Sequence, residues 1–218
     1  MLILKPMNRM LTGWIKQHVF WLTLLLACLL FQTTGLIEQF RFDRALIQQG
    51  DYWLMLSGHF VHLNWHHLWL NLAGLALVMV FFGRYCSMLA WSIIILLSAI
   101  SVSLGLYWFN QDMFWYVGLS GVLHGLFVVG AWREYAVFAK SGLVLMLLIA
   151  GKLLWEQLAG PLPGSESMTG GHVAVDAHLY GAIGGLIFLL LHQVIHIDDW
   201  QQNRKHNHQH DDAHENNQ

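Results

Sequence analysis

Charge is scarce in this sequence. Of 218 residues, 11% are Asp, Glu, Lys or Arg, against about 25% in an ordinary soluble domain. The soluble globular class is therefore excluded. Cysteine is scarcer still: Cys28 and Cys86 both fall in or beside apolar runs, so no disulfide framework is indicated. A net charge of -2 argues against a polyanionic partner, nucleic acid included. No H-E-x-x-H motif is present to build a hydrolytic zinc centre on a helix, no cofactor is implied, and no internal repeat is found. No loop is long enough to fold on its own, which leaves a single domain.

What the chain has instead is hydrocarbon. Hydrophobic residues make up 56% and the mean hydropathy is +0.47, as expected of a polytopic membrane protein embedded in a lipid bilayer. A membrane-spanning helix needs about 20 apolar residues. Six stretches meet this, some after polar interruptions: 18–36, 62–82, 86–108, 117–138, 142–158 and 174–196. The expected fold is all-α, a six-helix bundle over residues 18–197 between an N-terminal segment (1–17) and a polar tail (198–218). Lys5, Arg9 and Lys16 precede the first run, as in a signal peptide, but no A-x-A pattern follows Leu30, so a retained helix is expected. Trp14, Trp21, Trp53, Trp115, Trp155 and Trp200 near segment ends read as interfacial anchors.

Orientation follows from the basic residues. With the N-terminus inside, the inner segments hold Lys5, Arg9, Lys16, Arg84, Arg133, Lys140, Arg204 and Lys205, and the outer ones Arg41, Arg44 and Lys152, the last at the foot of the fifth helix. That bias places both termini in the cytoplasm. The stretch from Glu38 to Ser57 mixes charges and aromatics and is expected at the outer interface. Gly160-Pro161-Leu162-Pro163-Gly164-Ser165 breaks the fifth helix from the sixth. The tail, with His206, His208, His210 and His214, reads as a solvated disordered tract in preference to a metal site.

Three polar clusters interrupt the apolar runs. His59, His62, Asn64, His66, His67 and Asn71 open the second span; His67 and Asn71, four apart, share a helix face. Gly118-Leu119-Ser120-Gly121 opens the fourth, and Asp176-Ala177-His178 the sixth. All three lie at the N-terminal ends of even-numbered helices, which face one side of an alternating bundle, so the clusters can converge at one depth. Gly121 and Gly125, and Ala177, Gly181 and Gly185, form small-x-x-x-small faces through which two helices approach closely. If the fourth and sixth helices pack that way, Ser120 comes within reach of His178. Gly118 permits an unusual backbone at the helix start, leaving amides free to face an anion. A nucleophile, a base and a set of donors are what acyl transfer requires. Singly, each residue has a plainer reading: Ser120 and the glycines as packing residues, His178 and Asn71 as interhelical hydrogen bonders. His59, His62 and His66 at i, i+3 and i+7 offer a metal face, the basis of a transporter reading. That reading expects such groups at midplane on several helices, not gathered at one end.

Taken together, His62-x4-His67-x3-Asn71, Gly118-Leu119-Ser120-Gly121 and Ala177-His178-x2-Gly181-x3-Gly185 resemble the rhomboid family of intramembrane serine proteases, from His62 to about Gly185. The resemblance implies a six-helix bundle with an outward-opening, water-filled cavity and transmembrane proteins as substrates. Ser120 would be the nucleophile and His178 the base, a dyad with no carboxylate third member; Asn71, His67 and the Ser120 amide would be oxyanion donors. It also implies a multi-pass protein of a bacterial inner membrane. Two features depart from the common bacterial pattern. His124 stands where a tyrosine usually packs on the catalytic histidine, and the Trp-Arg pair of the first outer loop is absent, Phe40-Arg41-Phe42 being nearest. Gly-Leu-Ser-Gly-Val-Leu-His-Gly is similar instead to the rhombosortase branch, thought to process secreted proteins with C-terminal sorting tails: a Gly-Gly motif, a membrane helix and a basic end. His124, at i+4 from Ser120, is expected to pack or hydrogen-bond beneath His178, although its position also admits a role as base. Asp176 points to another face. The alternatives are a rhomboid protease with other transmembrane substrates and a non-catalytic rhomboid-like protein that binds clients. His59, His62, Asn64 and His66 are expected to line a water path.

Overall fold

In a computed structural model the chain forms ten α-helices, a 3-10 turn (Gly83–Tyr85) and two short strands among the described residues, which comprise the backbone of 4–193 and the side chains of 17–193. The His-rich tail lies outside them, as do the side chains of the first sixteen residues. Six helices are long: α1 (Leu4–Thr34), α5 (Trp65–Phe82), α6 (Met88–Phe109), α7 (Ser120–Val137), α8 (Ala139–Ala159) and α10 (Val175–Gln193). Between α1 and α5 lie α2 (Ile37–Phe40), α3 (Arg44–Gln48) and α4 (Leu54–Ser57), and α9 (Ser165–Thr169) precedes α10. The protein is an all-α polytopic membrane bundle. Helix α1 begins well before the expected span, whose apolar part is Gln17–Thr34.

Helix α7 is a departure from the expected six equivalent spans. Five of the long helices are apolar enough to cross a membrane, and α7 is not among them. It carries Ser120, His124, Arg133 and Glu134 and packs against α5, α6 and α8, so its sides meet protein and need small residues more than oily ones. Gly121, Gly125, Gly130 and Ala131 are buried along it.

Two of the long helices start at a side-chain cap. Asn64 caps α5, its side chain accepting from the His67 amide at 2.9 Å, and Ser87 caps α6 through the Ala90 amide. These bonds satisfy amides that a helix start leaves open. Helix α8 ends at Gly160, which has φ +81° ahead of Pro161, at the expected breaker.

The Glu38–Ser57 stretch does not cross the bundle. Its strand β1 (Phe42–Asp43) pairs antiparallel with β2 (Trp115–Tyr116), in register Phe42↔Tyr116, and so joins the loop after α1 to the loop ahead of α7. Arg44, not Arg41, anchors this unit. The Arg44 guanidinium is buried and donates to the carbonyls of Tyr107 (2.7 Å), Leu106 (2.8 Å), Asn110 (2.9 Å) and Met113 (3.1 Å), capping the end of α6. Arg41 pairs with Asp43 and covers the Trp115 ring.

Trp21 is not an interfacial anchor. It is buried, edge-on to Trp91 at 5.4 Å, in the core that α1 shares with α6. Trp53, Trp115 and Trp155 are exposed. Lys152 lies inside α8, not at its foot.

Candidate active site

Helices α7 and α10 meet through their glycines. A Cβ on Gly121 would stand 2.8 Å from the Ala177 carbonyl, one on Gly125 2.6 Å from the Gly181 carbonyl, and one on Gly185 2.5 Å from the Gly125 carbonyl. Only hydrogen fits at such contacts, so the backbones approach closely and their side chains near the shared end are brought together. There Ser120, the first residue of α7, donates its hydroxyl to His178 Nε2 at 3.0 Å. His178 is buried.

Ser120 owes its position to the turn before it. Gly118 has φ +115°, a conformation that strains any L side chain, and a Cβ there would stand 2.7 Å from the His67 ring. Its carbonyl accepts from the Tyr116 hydroxyl at 2.8 Å, and its amide donates to Gly58 at 3.0 Å. The Gly118 amide is therefore not free to face an anion. The open donors are the first-turn amides of Ser120 and Val122, which have no helical acceptor and no side-chain cap; the Gly121 amide donates to the Tyr116 hydroxyl.

His67 and Asn71, one turn apart on α5, close in beside Gly118 and line the same cavity as Ser120 and His178. Asn71 spends one amide hydrogen on the His67 carbonyl at 3.1 Å, leaving its second available. The cavity, about 950 Å³, is roofed by the loop before α7 and the stretch from Leu162 to Asp176. His59, His62, Asn64 and His66 are not in its lining, contrary to the expected water path. His59 bonds Ala99 and Ser103, Asn64 bonds Thr169 through its amide, and His62 is buried edge-on to His67 at 5.2 Å.

His124 stacks on His178, with ring centroids 4.2 Å apart and planes 20° from parallel. Its Nδ1 donates to the Ser120 carbonyl at 2.7 Å. Asp176 accepts from the Asn110 side chain, whose oxygen in turn accepts from Tyr180 at 2.8 Å.

Sequence reasoning missed Glu156. Its Oε2 lies 3.0 Å from His178 Nδ1, while Oε1 pairs with Lys152 at 2.7 Å; Lys152 Nζ also lies 3.4 Å from that nitrogen. The signal was present: an acid and a base four apart in a 21-residue apolar helix, where ionisable groups are functional candidates by default. His124, Glu156 and His178 also form a group whose ligand atoms are close enough to share a metal ion. Both His178 nitrogens and the Nδ1 of His124 are already engaged in the bonds above.

A hydroxyl bonded to an imidazole, with helix-start amides and an amide side chain on the same cavity, has the parts of an acyl-transfer centre, here set in a membrane bundle. A comparison with protein families bears on that class directly: the Rhomboid domain matches residues 49–193, the larger part of the chain and everything from α4 to α10. The chain belongs to the rhomboid family, a family of intramembrane serine proteases. No curated protein matches it.

Proposed function

We propose that this protein is a serine endopeptidase that cuts transmembrane segments near the outer face of the membrane with Ser120 and His178. The observation that carries the reading is the 3.0 Å bond from the Ser120 hydroxyl to His178 Nε2 inside a cavity. A substrate helix unwinds at its outer end and presents an extended peptide to Ser120. The Ser120 proton passes to His178 Nε2 as Oγ bonds the carbonyl carbon. The resulting oxyanion is met by the Ser120 amide, Asn71 and His67, donors of a kind worth roughly 3–4 kcal/mol each. His178 then gives its proton to the leaving amine, and water hydrolyses the acyl-enzyme. Gly118 holds the turn that aims Ser120, and His124 is a positioning residue that supports the His178 ring from below.

His124 in place of the usual tyrosine supports the rhombosortase branch, and with it substrates that are secreted proteins with Gly-Gly C-terminal sorting tails. The basic-residue count supports a bacterial inner membrane location with both termini cytoplasmic. The bundle over 18–197 is then the catalytic domain, flanked by a cytoplasmic segment (1–17) and a polar cytoplasmic tail (198–218).

The test is co-expression with a Gly-Gly-tailed reporter and, beside it, a generic transmembrane reporter. Cleavage of the tailed reporter alone is expected, abolished in Ser120→Ala and His178→Ala, with His124→Ala reduced several-fold. Cleavage of the generic reporter would remove the sorting assignment and leave the dyad. Cleavage by Ser120→Ala would sink the whole reading.

A further inference from the structure

We propose that Glu156 is the third member of the Ser120–His178 relay, a positioning residue held in its working geometry by Lys152. This rests on the protease reading above and deepens it, because the family resemblance implies a dyad with no carboxylate.

The burial pattern of α8 points there first. This helix leaves most of its apolar side chains exposed and fully buries two residues, Gly142 and Glu156. A carboxylate in a membrane helix is costly against lipid and is kept where it faces the bundle interior and pairs with a working partner, although leucines lie on either side of it along α8. Glu156 is 3% exposed, and both its oxygens are committed, Oε1 to Lys152 at 2.7 Å and Oε2 to His178 at 3.0 Å.

The bond to His178 has a chemical consequence. A carboxylate accepts and does not donate, so this contact places the proton of neutral His178 on Nδ1. Nε2 is then a lone pair aimed at the Ser120 hydroxyl, the tautomer that can take its proton. Lys152 alone would have the opposite effect. Its ammonium, 3.4 Å from Nδ1, would donate to that nitrogen and put the ring proton on Nε2, facing serine with a hydrogen it cannot use. With Glu156 nearer to Nδ1 and drawing Lys152 onto its other oxygen, the productive tautomer is selected. As the Ser120 proton moves to Nε2, the imidazolium that forms lies against a negative charge, and Glu156 itself stays ionised throughout. Asp176, nearer in sequence, is engaged with Asn110 and takes no part.

The experiment uses the full chain in detergent micelles and compares Glu156→Gln, Glu156→Asp, Ser120→Ala and His178→Ala. Readouts are kcat and KM on the Gly-Gly-tailed reporter, the rate of labelling by a fluorophosphonate serine probe, and thermal unfolding. Glu156→Gln keeps the shape but offers Nδ1 a donor, as amide replacement does in soluble triads at about 10⁴-fold in kcat. A fall of 10³–10⁴-fold in kcat and in labelling is expected, with KM within about threefold, and Glu156→Asp recovering at least tenfold. Should Glu156→Gln fail to fold, the wild type supplies the second measurement: a far-downfield proton resonance coupled to a histidine 15N and absent from His178→Ala. Labelling of Glu156→Gln at the wild-type rate, with none in Ser120→Ala and His178→Ala, would overturn the third member while the dyad stands. Absence of the downfield resonance would do the same. Labelling that persists in Ser120→Ala would overturn both readings together.

Discussion

Replacing Gly185 with alanine should disconnect Ser120 from His178 without touching either residue. The new Cβ would stand 2.5 Å from the Gly125 carbonyl, where ordinary contact begins at 3.4 Å. Backbone lies on both sides of the clash and neither side can rotate away, so α10 must retreat from α7 by about 0.9 Å, the difference between those distances. Two turns along, the Ser120–His178 bond starts at 3.0 Å; a rigid retreat of that size takes it beyond the range of a hydrogen bond. A misplacement of about 1 Å at a reacting pair costs on the order of 10²-fold, and overpacking a helix interface costs about 1–3 kcal/mol. Reporter cleavage should therefore fall about 100-fold in Gly185→Ala, with a lowered unfolding midpoint. Gly151, on α8 with nothing within 4 Å of its would-be Cβ, is the control: Gly151→Ala should cleave like the wild type. Wild-type cleavage by Gly185→Ala would refute the argument that the glycine interface sets the pair.

Arg44→Met should destabilise the bundle by about 3 kcal/mol, because it leaves buried carbonyls at the end of α6 without their charged donor; an unchanged unfolding midpoint would show that the four contacts are dispensable. A pH dependence follows from His62, in the turn before α5. It is buried edge-on to His67, and burial, with the neighbouring His67 ring, pushes its pKa down from 6.5 to about 3. The folded state thus resists a proton that the unfolded chain accepts below pH 6.5. The stability His62 contributes is whole above that pH and is lost as pH falls toward about 3. Thermal midpoints across that window should decline, and the decline should be shallower in His62→Phe; equal slopes would reject the assignment.

Much of this architecture is legible in sequence because hydropathy and capping are local. Runs of apolar residues mark the long helices to within a few residues, except α1, which begins earlier. The Gly-Pro break marks the end of α8. Ser120, His178, His67 and Asn71 are legible as a set because each lies near the start of the second, fourth or sixth long helix, and alternation alone puts those ends on one side. The small-residue spacing likewise announces the α7–α10 contact before any coordinate is known, since only glycine and alanine admit such an approach.

What the tertiary structure alone decided concerns angle and depth. Trp21 reads as an anchor by its place near a segment end, yet the rotation of α1 turns it onto Trp91. Arg41 and Arg44 look equivalent three residues apart, and only the docking of β1 on β2 makes Arg44 the cap of α6. Helix α7 falls short of the hydropathy of a span because its neighbours, not lipid, surround it. Glu156 is the sharpest case. The sequence determined that an acid and a base lie one turn apart in an apolar helix, but whether the carboxylate faces lipid, solvent or His178 depends on the rotation of α8 about its axis. Sequence periodicity leaves that rotation open where a helix is apolar on nearly every side, and the packing of α8 against α7 settles it.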